Sequence, residues 1–112
     1  MKILEERKDD IVILRINEDI NFENAGEIKK FIVNLAEQEK VVKFIIDLEN
    51  VGFIDSSGLG TLVSSYTFLK KLNGVLKIVN VNDNIAELFH LTRLDSFFEV
   101  YSDLDQAIAS FK

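Results

Sequence analysis

The chain has 112 residues, with 13 Lys and Arg against 19 Asp and Glu, for a formal charge of −6. That length fits one domain with one core, and its 47% hydrophobic and 29% charged residues are ordinary for a globular protein. The absence of cysteine excludes disulfides and thiolate metal sites, while the acidic balance and scattered lysines argue against nucleic acid as a partner.

No proline or low-complexity tract divides the sequence, and its five glycines are dispersed. Ile11 to Ile16 is β-branched and apolar and reads as a strand, with Ile3 to Arg7 as its partner across an Asp9-Asp10 turn. From Phe22 the period lengthens. Phe22, Ala25, Ile28, Phe31, Ile32 and Leu35 predict one face of a helix, with Asn21 or Asn24 as its cap. Val42 to Leu48 is nearly continuous in apolar residues, as in a parallel strand covered on both faces. Leu59, Leu62, Val63, Tyr66, Leu69 and Leu72 then recur at helical spacing, and Asn73-Gly74 closes that helix with glycine as the left-handed residue. Val75 to Val81 is the next strand.

Ile85, Leu88, Phe89 and Leu94 predict a short helix, with Asn82, Asp83 and Asn84 as capping candidates. Phe97 to Tyr101 reads as a last strand. Ser102 to Asp105 fits a capping box ahead of a terminal helix with Leu104, Ala107, Ile108 and Phe111 on its buried side. The order β-β-α-β-α-β-α-β-α predicts an α/β domain whose later strands run parallel. No apolar run approaches the roughly 20 residues of a membrane span. With no signal peptide evident, a cytoplasmic location and no membrane partner are expected.

One stretch stands out chemically: Asp55-Ser56-Ser57-Gly58-Leu59-Gly60, where a loop enters a helix. A serine there can cap the helix by accepting from an unpartnered amide. The same position welcomes an anion, so a phosphate on Ser56 can be held without unfolding the domain. Asp55 opposes that phosphate electrostatically, and a docked partner would be repelled. Catalytic readings are weaker. The stretch lacks the Gly-x-Ser-x-Gly of a nucleophile elbow, Val63 stands where a dinucleotide motif needs its third glycine, and no Gly-Lys-Ser/Thr follows. His90, the one imidazole, falls in another helix. Asp47, Glu49 and Asp55 read as solvated carboxylates rather than metal ligands, so neither metal nor cofactor is expected. For Ile20, Phe22, Phe53 and Leu59 the expectation is core packing; any of them exposed would give a partner patch an apolar centre.

Phe44-Ile45-Ile46-Asp47-Leu48, Val51 and the string from Phe53 to Gly60 resemble the STAS domain of bacterial anti-sigma factor antagonists. The similarity extends over nearly the whole chain, which makes residues 1–112 one such domain. It implies a mixed, mainly parallel sheet of about five strands with about four helices, wound in successive β-α turns. It also implies partner switching rather than enzymatic activity. The unphosphorylated antagonist binds an anti-sigma factor, itself a GHKL-type serine kinase using ATP and magnesium, and so frees the sigma factor. Phosphorylation of the first serine, here Ser56, ends binding, and a PP2C-type phosphatase restores it. Asn21, Phe22, Asp55, Ser56, Ser57, Gly58 and Leu59 are the implied contact residues, on a chain expected to be monomeric when free. Family members commonly carry Gly-Asp/Glu-Leu/Ile-Asp before the first helix, where this chain has Glu18-Asp19-Ile20-Asn21. The alternative is a STAS module of another signalling or transport complex, such as a stressosome-like assembly. An enzymatic reading, a hydrolase using Ser56 or Ser57, lacks a base within the motif.

Overall fold

The β-branched run Ile11–Ile16 forms a strand (β2) that pairs antiparallel with Ile3–Lys8 (β1) in a computed structural model describing residues 1–112. Lys8 lies opposite Ile11, so Asp9 and Asp10 are the whole connection, and Asp9 turns the chain with a φ of 56°. The remaining elements are α1 (Ala25–Glu39), β3 (Lys43–Asp47), α2 (Ser56–Lys71), β4 (Val75–Val79), α3 (Asp83–Leu91), β5 (Glu99–Tyr101) and α4 (Leu104–Ala109). The sheet order is β1-β2-β3-β4-β5, antiparallel between β1 and β2 and parallel from β2 to β5. This is the expected α/β architecture.

Strand alternation divides the core into two layers. Val12, Leu14, Ile16, Phe44, Ile46, Leu76 and Ile78 face one way and pack with Ile28 and Ile32 of α1, Leu62 and Leu69 of α2, and Ile85 and Phe89 of α3. Ile11, Ile13, Ile45 and Val79 face the other way, beneath Ala107 of α4 and its neighbours Leu104, Ile108 and Phe111. On that second face Lys77 is buried, with its Nζ donating to Ser110 Oγ at 2.6 Å and lying 4.3 Å from the Phe111 ring centroid. Cation–π attraction and a hydrogen bond thus compensate a desolvated charge. Asp47, expected to be a solvated carboxylate, is instead buried, because it accepts from Arg15 Nε at 3.1 Å, Asn80 Nδ2 at 3.1 Å and the Glu49 amide at 3.0 Å.

Three local expectations are corrected. Helix α1 begins at Ala25, three residues later than the apolar period suggests, and Phe22 is 75% exposed. Residues 21–24 instead form a turn: Asn21 Oδ1 accepts from the Glu23 amide, and Asn24 Oδ1 accepts back from the Asn21 amide. Neither asparagine caps the helix with its side chain, because each is engaged within that turn. At the end of α2 the left-handed residue is Asn73, with a φ of 58°, and no glycine has positive φ. Gly74 serves a different need. A Cβ there would sit 2.5 Å from the Val42 carbonyl oxygen and 2.9 Å from Val42 Cβ, so the bare backbone lets β4 start beside β3. The last cap shifts by one residue: Asp103 accepts from the Gln106 amide at 2.8 Å, and Ser102 Oγ bonds the Gln106 side chain.

Two alanine substitutions separate these roles. Gly74→Ala is expected to destabilise the domain by about 1–3 kcal/mol, since the obstructing atom is backbone. Gly26→Ala, with open space around its Cβ position, should instead stabilise α1 by up to about 1 kcal/mol. Urea midpoints of the two variants, moving in opposite directions, check both.

Candidate functional site

The loops that leave the C-terminal ends of β2 and β3 meet at one end of the sheet. Ile20 and Ile54 form a parallel bridge, with the Ile20 amide donating to the Phe53 carbonyl at 3.0 Å and the Asp55 amide to the Ile20 carbonyl at 3.1 Å. Because neighbouring residues in extended backbone point to opposite sides, Ile20 and Ile54 go inward and are fully buried, while Phe53 turns out and is 59% exposed. Asp19 reinforces the junction, its Oδ1 accepting from the amides of Gly52 and Phe53 at 2.8 and 3.1 Å. Asn82, the N-cap of α3, donates from Nδ2 to the carbonyls of Val51 and Gly52 and accepts from the Ile85 amide at 2.8 Å. The β3–α2 loop is therefore held from both sides.

Asp55 fixes where α2 begins. It is the extended N-cap residue, and its Oδ1 accepts from the Gly58 amide at 2.9 Å. Its Oδ2 accepts from the Phe22 amide at 3.0 Å. The cap is thus the aspartate rather than a serine, since a carboxylate can satisfy one amide of the helix and one of the neighbouring loop together. Ser56 and Ser57 occupy the first two helical positions, both exposed, and neither hydroxyl bonds within the chain. Gly58 is buried, and a Cβ on it would lie 2.5 Å from Ile54 Cγ2 and 2.8 Å from Ile20 Cγ2. Only glycine lets the first turn of α2 rest on that isoleucine pair. Leu59 is buried behind it.

Of the seven expected contact residues, Asn21, Phe22, Asp55, Ser56 and Ser57 surround the start of α2, and Gly58 and Leu59 form its support. The core expectation holds for Ile20 and Leu59 and fails for Phe22 and Phe53. The latter two stand out beside the serines for the reasons of alternation and helix start just given. Leu91 of α3, 72% exposed, was not singled out by the sequence, because a leucine at the end of a helical period carries no sign of which way it faces. His90 occupies the last turn of α3 and its Nδ1 lies 2.9 Å from Asp95 Oδ2, paired with that carboxylate and not with a serine. No group of three His, Asp or Glu side chains converges to hold a metal ion. No helix is long and apolar enough to cross a membrane.

Glu18, which the family resemblance sets in place of a glycine, lies in the connection between β2 and α1. It needs no left-handed backbone; its carboxylate accepts from the Lys2 amide at 2.6 Å and from Asn24 Nδ2 at 3.0 Å. Those two bonds, the Lys2 amide foremost, hold its pKa below the ordinary glutamate range.

A family model described as the STAS domain matches residues 2–107. The chain belongs to the STAS domain family. A Thermotoga maritima protein, provisionally named an anti-sigma factor antagonist, is 30% identical over 100 residues, spanning 89% of this chain and 88% of its own. The anti-sigma-B factor antagonist of Bacillus subtilis is 32% identical over 82 residues, 73% of each chain. A Thermotoga maritima crystal structure, of a protein given the same provisional description, superposes with a TM-score of 0.91 at 28% identity, covering 96% of this chain and 92% of that one. Within the STAS fold, the junction of Ile20 with Ile54 is what presents the Asp55-Ser56-Ser57-Gly58 turn at the surface.

Asp55→Ala should cost about 1–2 kcal/mol through the lost cap and release the Phe22 amide, with Asp55→Asn retaining part of both; chemical denaturation and amide exchange at Gly58 and Phe22 measure this. Glu18 supplies a pH test. Its folded pKa lies below the unfolded value of about 4.3, so its contribution is complete above that pH and is lost as pH falls through the folded value. In Glu18→Gln the acid limb of the stability curve should flatten, and the difference from the parent should shrink as pH falls below about 4.3.

Proposed function

We propose that this chain is an anti-sigma factor antagonist whose unphosphorylated form binds an anti-sigma factor and whose binding is switched off by phosphate on Ser56. One observation carries the reading. The Ser56 hydroxyl stands exposed and unbonded in the first turn of α2, beside a capping carboxylate and within a rim of exposed Phe22 and Phe53. A kinase can reach that oxygen without unfolding the chain, and a partner can bury the two rings against it.

Charge explains the switch. A phosphoserine brings about −1.5 to −2 charges at neutral pH. The N-terminal dipole of α2 offsets only about 0.3–1 kcal/mol of it. Asp55 is held in place by its two amides and cannot swing away, and like unit charges about 4 Å apart repel by roughly 4 kcal/mol at an effective dielectric of 20. The phosphorylated surface stays folded but presents dense negative charge where an apolar partner face must dock, and association weakens through desolvation and repulsion. The anti-sigma factor is a GHKL-type serine kinase carrying its own ATP and magnesium, and a PP2C-type phosphatase resets the chain. The chain itself catalyses nothing and needs no cofactor. Asn21, neutral where the family pattern commonly has aspartate, leaves the rim less repulsive toward an incoming ATP-bearing kinase.

Incubation with the cognate kinase and Mg·ATP, followed by peptide mass mapping, tests the proposal. One phosphate is expected on Ser56 and none in Ser56→Ala. Ser56→Asp and Ser56→Glu should lose binding to the kinase by tenfold or more in titration calorimetry. Phosphate confined to Ser57, or undiminished binding by the phosphorylated chain, would overturn it.

A further inference from the structure

Beside the Ser56 rim runs a groove of about 390 Å³ between the 51–55 loop and α3. Ile54 and Ile85 form its floor, Phe53 one wall, and Leu88 and Leu91 the other. Asn84, Leu88 and Leu91 follow one another at i, i+4 and i+7, so the wall extends about 10 Å along the helix. Phe53 and Leu91 are both largely exposed, at 59% and 72%. Exposed leucine and phenylalanine on either side of an apolar trough are a surface waiting to be covered.

The chemistry of the walls selects the occupant. Glu87 lines the groove and Asp83 lies one turn earlier on the same helix, both exposed and neither in an ion pair. No Lys or Arg lines the groove. An extended peptide would find little to bond: the Gly52 and Phe53 amides are taken by Asp19, the Val51 and Gly52 carbonyls by Asn82, and the Phe53 carbonyl by Ile20. A polar small molecule would lack converging donors and acceptors. A second copy of this chain would bring its own −6 charge to an acidic rim.

We infer that the groove between Phe53 and α3 is a docking seat for a basic amphipathic helix of a protein partner, two turns of which lay apolar side chains between Phe53 and Leu91 while Lys or Arg meets Asp83 and Glu87. Helix-in-groove packing matches the spacing of the α3 wall, and the unpaired carboxylates give orientation and salt-dependent steering. The inference rests on reading the chain as a partner-binding module. It extends the contact surface from the serines onto α3, and it does not depend on phosphorylation.

The test uses the full, unmodified chain labelled with nitrogen-15 and a synthetic 14-residue helical peptide with Leu at i, i+4 and i+7 and Lys elsewhere. Controls are the same peptide with Glu in place of Lys, and a scrambled Lys peptide. Saturable shifts of the Gly52, Ile85, Leu88 and Leu91 amides are expected with the basic amphipathic peptide alone. Leu91→Ser, altering an exposed side chain, should weaken it about tenfold. Glu87→Lys should weaken the basic peptide and strengthen the acidic one, about threefold each. Shifts absent from the groove, equal for the acidic or scrambled peptide, or unchanged in Leu91→Ser would overturn the inference. So would concentration-dependent self-association through the same amides in sedimentation. Failure of Ser56 phosphorylation would leave these outcomes untouched, so the two proposals fail separately.

Discussion

Two backbone hydrogen bonds, from the Ile20 amide to Phe53 and from the Asp55 amide to Ile20, tie together segments more than thirty residues apart. Everything at this end of the sheet depends on that junction. It sets the alternation that buries Ile20 and Ile54 and turns Phe53 out. The buried pair then forms the bed on which α2 starts, and only a glycine at position 58 fits so close an approach. With the bed fixed, Asp55 reaches both the Gly58 and Phe22 amides and the first turn is pinned. Ser56 is thereby presented on the first turn of a helix whose start is fixed, rather than within a loop.

The junction also explains a division of labour among polar side chains. Asp19, Asp55 and Asn82 are chemically suggestive residues near a candidate site, yet all three are occupied with backbone amides or carbonyls. They shape the surface. The side chains left free are two serines, Phe22, Phe53 and Leu91, a combination suited to recognition and modification and poor in catalytic groups. His90 in its clip with Asp95 adds no base to that set. On the second face of the sheet, which α4 covers, Lys77 is buried against Ser110, Glu99 and the Phe111 ring, and Asp47 against Arg15, Asn80 and the Glu49 amide. Buried charge there is compensated within the fold, whereas Asp83 and Glu87 on α3 are not.

Much of the fold was legible in the residues. Strand and helix periods located all nine elements, because burial of one helix stripe and of strand faces leaves a direct imprint on sequence. Ends were read less well. Phe22 continues the apolar period of α1, but the Asn21 and Asn24 side chains bond within a turn and delay the helix to Ala25. Asn73-Gly74 was readable as a stop; which residue takes the left-handed backbone was not, since the requirement for glycine at position 74 comes from Val42 on another strand.

The sequence by itself determined the α/β class, the order of elements and the Asp55-Ser56-Ser57-Gly58 turn at a helix entrance, because each is recorded in local periodicity or in contiguous residues. Tertiary structure alone decided that the cap is Asp55 rather than a serine, that Phe22, Phe53 and Leu91 face outward, and that an acidic-rimmed groove lies beside them. The physical reason is range. Asp55 bonds Phe22 across 33 positions and Asp19 bonds Phe53 across 34, and such pairings arise only when the β2–β3 register brings the two loops together.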